Sequence, residues 1–297
     1  MEGDLTILQT ILIAVVEGLT EFLPISSTGH MIITQHILGI ASTEFVKAFI
    51  VIIQFGAILS VVCLYRKRFF KLNTCNIFDS TTLEGKSRWT KWGIYGKRFL
   101  YKFNFYWKLL IAFLPAACFG LLLGDKIDAM LENVVIVAVM LVAGGIFMLF
   151  CDKIFPKSKE EIKLTDKKAF HIGLFQCIAM IPGVSRSMAT IVGGMAQKMT
   201  RKDAAEFSFF LAVPTMFAAT GYKIMKLFLN KETEVLTNNL STLIVGNIIA
   251  FTVALLAIKF FIHFVTKYGF RVFGYYRIIA GGIILAMLAA GYNLEIV

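Results

Sequence analysis

Glu17, Glu21, Ser26, Ser27, Thr28 and His30 fall within the fourteen residues EGLTEFLPISSTGH, and a second polar stretch, PGVSRS, occupies 182–187. Two glutamates four apart share one face of a helix. Beyond Pro24, three consecutive hydroxyls stand where a new helix would begin. A helix start offers free backbone N–H groups and a partial positive charge, which suits an anion such as phosphate. Ser185, Arg186 and Ser187 form a second such start, with a guanidinium whose planar fork grips phosphate in a way lysine cannot. Serine is a weak nucleophile until a neighbouring base takes its proton, and His30, three residues after Ser27, titrates in the right range. Glu17 and Glu21 suit a divalent cation, Mg²⁺ or Ca²⁺, shared with the phosphates of a substrate. The expected roles are therefore catalytic for Ser27, His30, Glu21 and Arg186, phosphate-binding for Ser26, Thr28, Ser185, Arg186 and Ser187, and metal-holding for Glu17 and Glu21. Each also has a plainer reading, Ser26 or Thr28 as a helix cap, His30 as a hydrogen-bonded core histidine, and Glu21 as an interfacial charge. Composition and spacing do not choose between a phosphatase and a phosphate transporter.

The elements that must position these groups are membrane elements. Of 297 residues, 58% are hydrophobic and only 16% charged, which points to an all-α polytopic membrane protein. The alternation of an outer-membrane barrel is absent. Charged groups at membrane depth are expensive and mark function. Six stretches are long enough to span or nearly so, at 45–65, 107–124, 133–151, 207–222, 242–266 and 275–292. Residues 5–41 and 169–197 differ, since each is apolar, broken at Pro24 or Pro182, then apolar again. Arms this short read as two re-entrant helix pairs, because broken backbone at that depth must be buried in protein or line a wet cavity. The N-terminus lacks a cleavable signal pattern, so Leu5–Val16 is expected to be retained. Five scattered cysteines without a CxxC pair read as small hydrophobes.

The net charge of +11 is concentrated between Arg66 and Lys108, where eleven Lys/Arg face two acids. A basic loop between apolar spans marks the cytoplasmic side, and without an accompanying motif it gives no case for nucleic acid. Pro24 and Pro182 lie 158 residues apart, and at that offset Ser27 falls on Ser185. With the 66–106 loop inside, the first pair enters from outside. The segment 152–168, with six lysines and four acids, is then also inside, so the second pair enters from the cytoplasm. The expectation is a single membrane domain over 1–297 built as an inverted-topology repeat, about 1–151 and 169–297, with a site near the midplane.

The stretches EGLTEFLPISSTGH, PGVSRSMATI, QFGAILSVV (54–62) and EFSFFLAVP (206–214) resemble the undecaprenyl-diphosphate phosphatase family of bacitracin-resistance proteins, over nearly the whole chain. The resemblance implies hydrolysis of a polyprenyl diphosphate lipid to the monophosphate and inorganic phosphate, recycling the carrier of cell-wall synthesis in the bacterial plasma membrane. It also implies a site reached from the outer face. Its site residues match at Glu17, Glu21, Ser26, Ser27, His30, Ser185, Arg186 and Thr190, with the serine at 27 attacking phosphorus. Met188 stands where the family usually has glycine, an exchange expected either to narrow the tip or to alter its backbone, and the 66–106 loop is longer and more basic than the family leads one to expect. The rival class is a lipid-phosphate translocase with the same midplane site. A pure scaffold leaves the buried charges unexplained. Pairing into a homodimer is left open by the sequence.

Overall fold

The structure, a computed structural model, describes residues 5–75, 87–131, 133–155, 163–230 and 234–294. Parts of both charged loops, 76–86 and 156–162, lie outside the described residues, as do the two acids Asp79 and Glu84. Among the described residues all regular structure is helical. The helices are α1 (Ile7–Thr20), α2 (Ser27–Leu38), α3 (Glu44–Leu64), α4 (Arg66–Phe70), α5 (Arg88–Lys102), α6 (Asn104–Leu131) and α7 (Val134–Ile154). They continue with α8 (Asp166–Ile178), α9 (Arg186–Ala196), α10 (Arg201–Leu229), α11 (Glu234–Thr237), α12 (Leu240–Tyr268) and α13 (Arg271–Ala289).

Six helices, α3, α6, α7, α10, α12 and α13, are long and apolar enough to cross a membrane, in the places the hydropathy pattern predicts. Their flanks, such as Leu121 and Leu122, are largely exposed apolar side chains, as lipid-facing surface should be. The helix α10 begins six residues before the expected 207, because Thr200 caps it by accepting from the Asp203 N–H. The stretch 66–106, expected to be a loop, contains α4 and α5. Ser87 caps α5, and Trp89, Trp92, Phe99 and Leu100, at spacings of three, seven and one, fall on one side of it. Its polar composition hid it from a search for spans.

Among the helices too short to span, four form two pairs. The helices α1, α2, α8 and α9 have 14, 12, 13 and 11 residues. Each pair is joined by a tight turn that ends in a serine with positive φ, Ser26 at 68° and Ser185 at 77°. Such backbone costs about 1–3 kcal/mol for a residue with a Cβ and persists only where surroundings enforce it. The structural partner of Ser185 is thus Ser26, one position before the Ser27 that the 158-residue offset selects. The reason is one extra residue in the second turn, Gly183, with φ 89°.

Packing ties the short pairs to the spans. The helix α1 lies along α12 and α8 lies along α6, while α3 packs on α10 and α7 on α13. Small residues allow the close approaches that substitute for hydrophobic driving force in lipid. Thus Gly18 meets the backbone of Ala250, and Gly173 that of Ala112. Edge-to-face phenylalanines then bind the first turn to the bundle, Phe22 to Phe209 at 5.4 Å and Phe209 to Phe261 at 5.9 Å.

Gly183 tests the second turn. A Cβ there would strike the Val137 carbonyl as well as strain a left-handed backbone. Gly183→Ala is expected to destabilise the protein by at least about 1 kcal/mol, read as a lower Tm in detergent. Gly282→Ala, whose Cβ meets nothing within 4 Å, should leave Tm unchanged.

Candidate active site

The two turns face each other across a cavity of about 250 Å³, lined by Glu21, Ser26, Ser27, Thr28, Gln54, Pro182, Ser185, Arg186, Thr215 and Met216 among others. The helix α2 starts with no side-chain cap, so its first N–H groups remain available. At its start the Ser27 hydroxyl donates to Glu21 Oε2 at 2.8 Å. Arg186 Nη2 donates to the other oxygen, Glu21 Oε1, at 3.1 Å, and Nη1 donates to the Ser208 carbonyl at 3.1 Å. The guanidinium also stands over the Phe22 ring, 5.9 Å from its centroid. A hydroxyl, a carboxylate that accepts its proton, and a guanidinium are therefore in direct sequence across the two turns.

The expected partnership of Ser27 with His30 does not form. His30 Nδ1 lies 2.7 Å from the Ser26 carbonyl, and Nε2 lies 2.7 Å from the Tyr276 hydroxyl. A carbonyl can only accept, so Nδ1 carries the proton and Nε2 accepts from Tyr276. Both nitrogens are thus engaged in holding the strained Ser26 backbone. The helical turn from 27 to 30 carries the imidazole away from the hydroxyl, and Glu21 reaches it from α1's end instead.

The remaining expected residues divide. Ser185 lines the cavity and caps α9 through the Met188 N–H. Ser187 is fully buried and donates to the Leu23 carbonyl at 2.8 Å, linking one turn to the other. Thr190 bonds the Arg186 carbonyl and the Ser208 hydroxyl, also buried. Neither Ser187 nor Thr190 lines the cavity, so both brace it rather than face it. Met188 is buried and stands close to Gly144 of α7, off the cavity wall, so it does not narrow the tip.

Glu17 is fully buried, and neither carboxylate oxygen has a well-formed hydrogen bond, with Glu21 and Gln54 its polar neighbours. Orphaned buried oxygens are costly and rare without a reason. Among the described residues no group of three or more His, Cys, Asp or Glu gathers for a metal. The donor set of two carboxylates fits a hard divalent cation that takes its other ligands from phosphate and water.

Sequence reasoning missed Arg277. It is the largest fully buried side chain and donates five hydrogen bonds, all to backbone carbonyls. Nη1 reaches Pro24 and Val184, each at 3.1 Å. Nη2 reaches Gly183 at 2.8 Å and Met140 at 3.2 Å, and Nε reaches Leu141 at 3.3 Å. One cation thus staples both turns to α7. A charge inside an apolar span was the available signal, but 275–292 reads as an ordinary helix. Gln54 was equally visible, as a polar residue inside α3.

The family model described as bacitracin resistance protein BacA matches residues 10–283. The chain belongs to the BacA family. Among similar BacA-type proteins, an undecaprenyl-diphosphatase of Porphyromonas gingivalis strain W83 is 56% identical over 294 residues, covering 98% of this chain and all of the relative. One of Flavobacterium psychrophilum is 54% identical over 94% of both chains. Another, of Bdellovibrio bacteriovorus, is 47% identical over 98% of this chain and 99% of its own.

Arg277 gives the sharpest structural prediction within this BacA-family site. Hydrogen bonds from a charged donor contribute about 1.5–3 kcal/mol each. An ammonium at that position cannot reach all five carbonyls, so Arg277→Lys should lose at least two of them. At roughly 2 °C per kcal/mol for a chain of this size, Tm should fall by about 5 °C or more. An unchanged Tm would mean that the turns hold themselves.

Proposed function

We propose that this chain is an undecaprenyl-diphosphatase, which hydrolyses a polyprenyl diphosphate to the monophosphate and inorganic phosphate in the bacterial cell membrane. The observation that carries the reading is the Ser27–Glu21–Arg186 sequence of contacts at an uncapped helix start, in a chain whose relatives bear that name over their full length. The N–H groups of α2, with Ser26, Thr28 and Ser185, receive the diphosphate. Glu21 takes the Ser27 proton as its oxygen attacks the terminal phosphorus, and the bond to the bridging oxygen breaks, releasing polyprenyl phosphate. Water then attacks the phosphoserine, restores the hydroxyl and frees inorganic phosphate. Arg186 neutralises charge on the transferring group, the kind of preorganised donor worth about 10²–10³ in rate. Glu17 and Glu21 are the residues that would hold a divalent cation, Mg²⁺ or Ca²⁺, which would supply positive charge to the substrate's phosphate. His30 acts as a positioning residue through Ser26. All these groups come from one chain, so a homodimer is not required.

The two short pairs are read as re-entrant, α1–α2 from outside and α8–α9 from the cytoplasm, in an inverted repeat with substrate entering at the outer face. The support is the matched packing of α1 on α12 and α8 on α6 and the paired positive-φ serines. Labelling tests the orientation. In a cysteine-free background, Ser87→Cys should resist an impermeant thiol reagent on intact cells, whereas Lys126→Cys should react. The opposite pattern would reverse the assignment.

Phosphate release from polyprenyl diphosphate by purified protein tests the activity, and transfer between liposome leaflets without hydrolysis would favour a translocase. Ser27→Ala and Glu21→Gln should each cut kcat severely, with the double variant little worse than the poorer single, because residues acting as a unit are far from additive. Ser27→Ala with His30→Ala should behave more nearly multiplicatively. Coupling of Ser27 to His30 but not to Glu21 would transfer the base role to the imidazole. Arg186→Lys should lose most activity despite keeping its charge.

A further inference from the structure

A second recess, of about 680 Å³, shares no lining residue with the cavity between the turns. It opens where α3 passes into α4, beside the end of α5 and the starts of α6 and α10. Its walls carry five cations, Arg68, Lys71, Lys102, Lys108 and Lys163, against Asp203 and Glu206. Among the described residues none of the five forms an ion pair. Asp203 is occupied in capping α10, where Thr200 donates to it at 2.7 Å.

The scaffold, not the acids, gathers these charges. Asn73 donates from its backbone to the Lys102 carbonyl at 3.2 Å and from its amide to the Tyr101 carbonyl at 2.7 Å, which ties the strap after α4 to the end of α5. The Tyr106 hydroxyl bonds the Phe69 carbonyl. Behind the rim, Tyr65, Phe69 and Phe105 all pack edge-on against Phe210, and Arg68 lies over Phe105 at 5.1 Å. Lys108 has Asp166 as a counter-charge and both Lys163 and Arg68 as like-charged neighbours. Five cations outnumber the two acids in this wall, like charges repel, and an anion seated among them offsets that cost.

The anion's source follows from α5. Trp89 and Trp92 are 88% and 69% exposed and share a face with Phe99 and Leu100, while Lys91, Lys97 and Arg98 lie opposite. A helix with indoles on one face and cations on the other belongs at headgroup depth, and its last residue, Lys102, is on the rim of the recess. Clustered lysines and arginines beside membrane spans attract anionic lipid. We infer that this recess binds the phosphate headgroup of an anionic phospholipid, at a site separate from the one that transfers phosphate.

Short-chain phosphatidylglycerol, phosphatidylcholine and inorganic phosphate, each titrated calorimetrically into purified full-length protein in neutral detergent, test this. Phosphatidylglycerol should bind and phosphatidylcholine should not. Lys71→Gln/Lys102→Gln should weaken that binding roughly 10–30-fold, with Tm and phosphate release unchanged. Lys102→Arg should retain it, and so should Arg186→Lys, which alters the other site. Equal affinity for the two lipids, or undiminished binding by the double glutamine variant, would overturn the inference. Binding of inorganic phosphate alone, lost in the double variant, would overturn the lipid assignment in favour of a free anion.

Discussion

Everything in the site hangs on a guanidinium that touches no carboxylate. Arg277 donates to Pro24 in the first turn, to Gly183 and Val184 in the second, and to Met140 and Leu141 of α7. Turn backbone cannot satisfy all its own carbonyls, and a carbonyl buried without a partner is costly. A single buried donor with five N–H groups in a rigid fork solves that problem for both turns at once. Because the same atom, Nη1, binds carbonyls from both turns, the separation between the two helix starts is set by the width of one functional group.

That constraint explains the strain beside it. Ser26, two residues after the Pro24 carbonyl, and Ser185, directly after that of Val184, adopt positive φ, and the turns cannot relax while Arg277 holds them. Ser187 adds a second link, from α9 to the Leu23 carbonyl, and His30 with Tyr276 fixes the Ser26 carbonyl from the other side. The outcome is a hydroxyl, a carboxylate and a guanidinium held in contact by groups that themselves stay out of the cavity. Preorganisation of this kind lets fixed dipoles meet developing charge without rearrangement.

The polar groups also separate by depth. Glu17 stays fully buried with unpartnered oxygens, Glu21 beside it is engaged on both, and the basic recess lies apart, next to an amphipathic helix with exposed indoles. Near the turns the Glu21 carboxylate is matched on both oxygens by Ser27 and Arg186, as low dielectric demands, and Glu17 is the exception. In the recess beside α5, cations outnumber acids.

Much of this was legible in the sequence. Hydropathy located the six spans, because burial in lipid requires a run of apolar residues regardless of neighbours. The prolines and hydroxyls of 24–28 and 182–187 marked both broken helices, because backbone chemistry is local. Glu21, Ser27 and Arg186 stood out as polar groups among apolar ones. What local pattern could not decide was which polar atom meets which. Spacing paired Ser27 with His30, three residues away, yet the hydroxyl's partner is Glu21, because the turn folds α1's end back over α2's start. The offset between prolines matched Ser27 to Ser185, and one extra residue in the second turn moved the match to Ser26. The helix α5 escaped notice because it carries no continuous apolar run. Arg277 lies 253 residues from the Pro24 carbonyl it binds, and its own helix shows a charge in an apolar span but not what that charge meets. Only the tertiary structure, by bringing α7, α13 and both turns together, makes it the centre of the site.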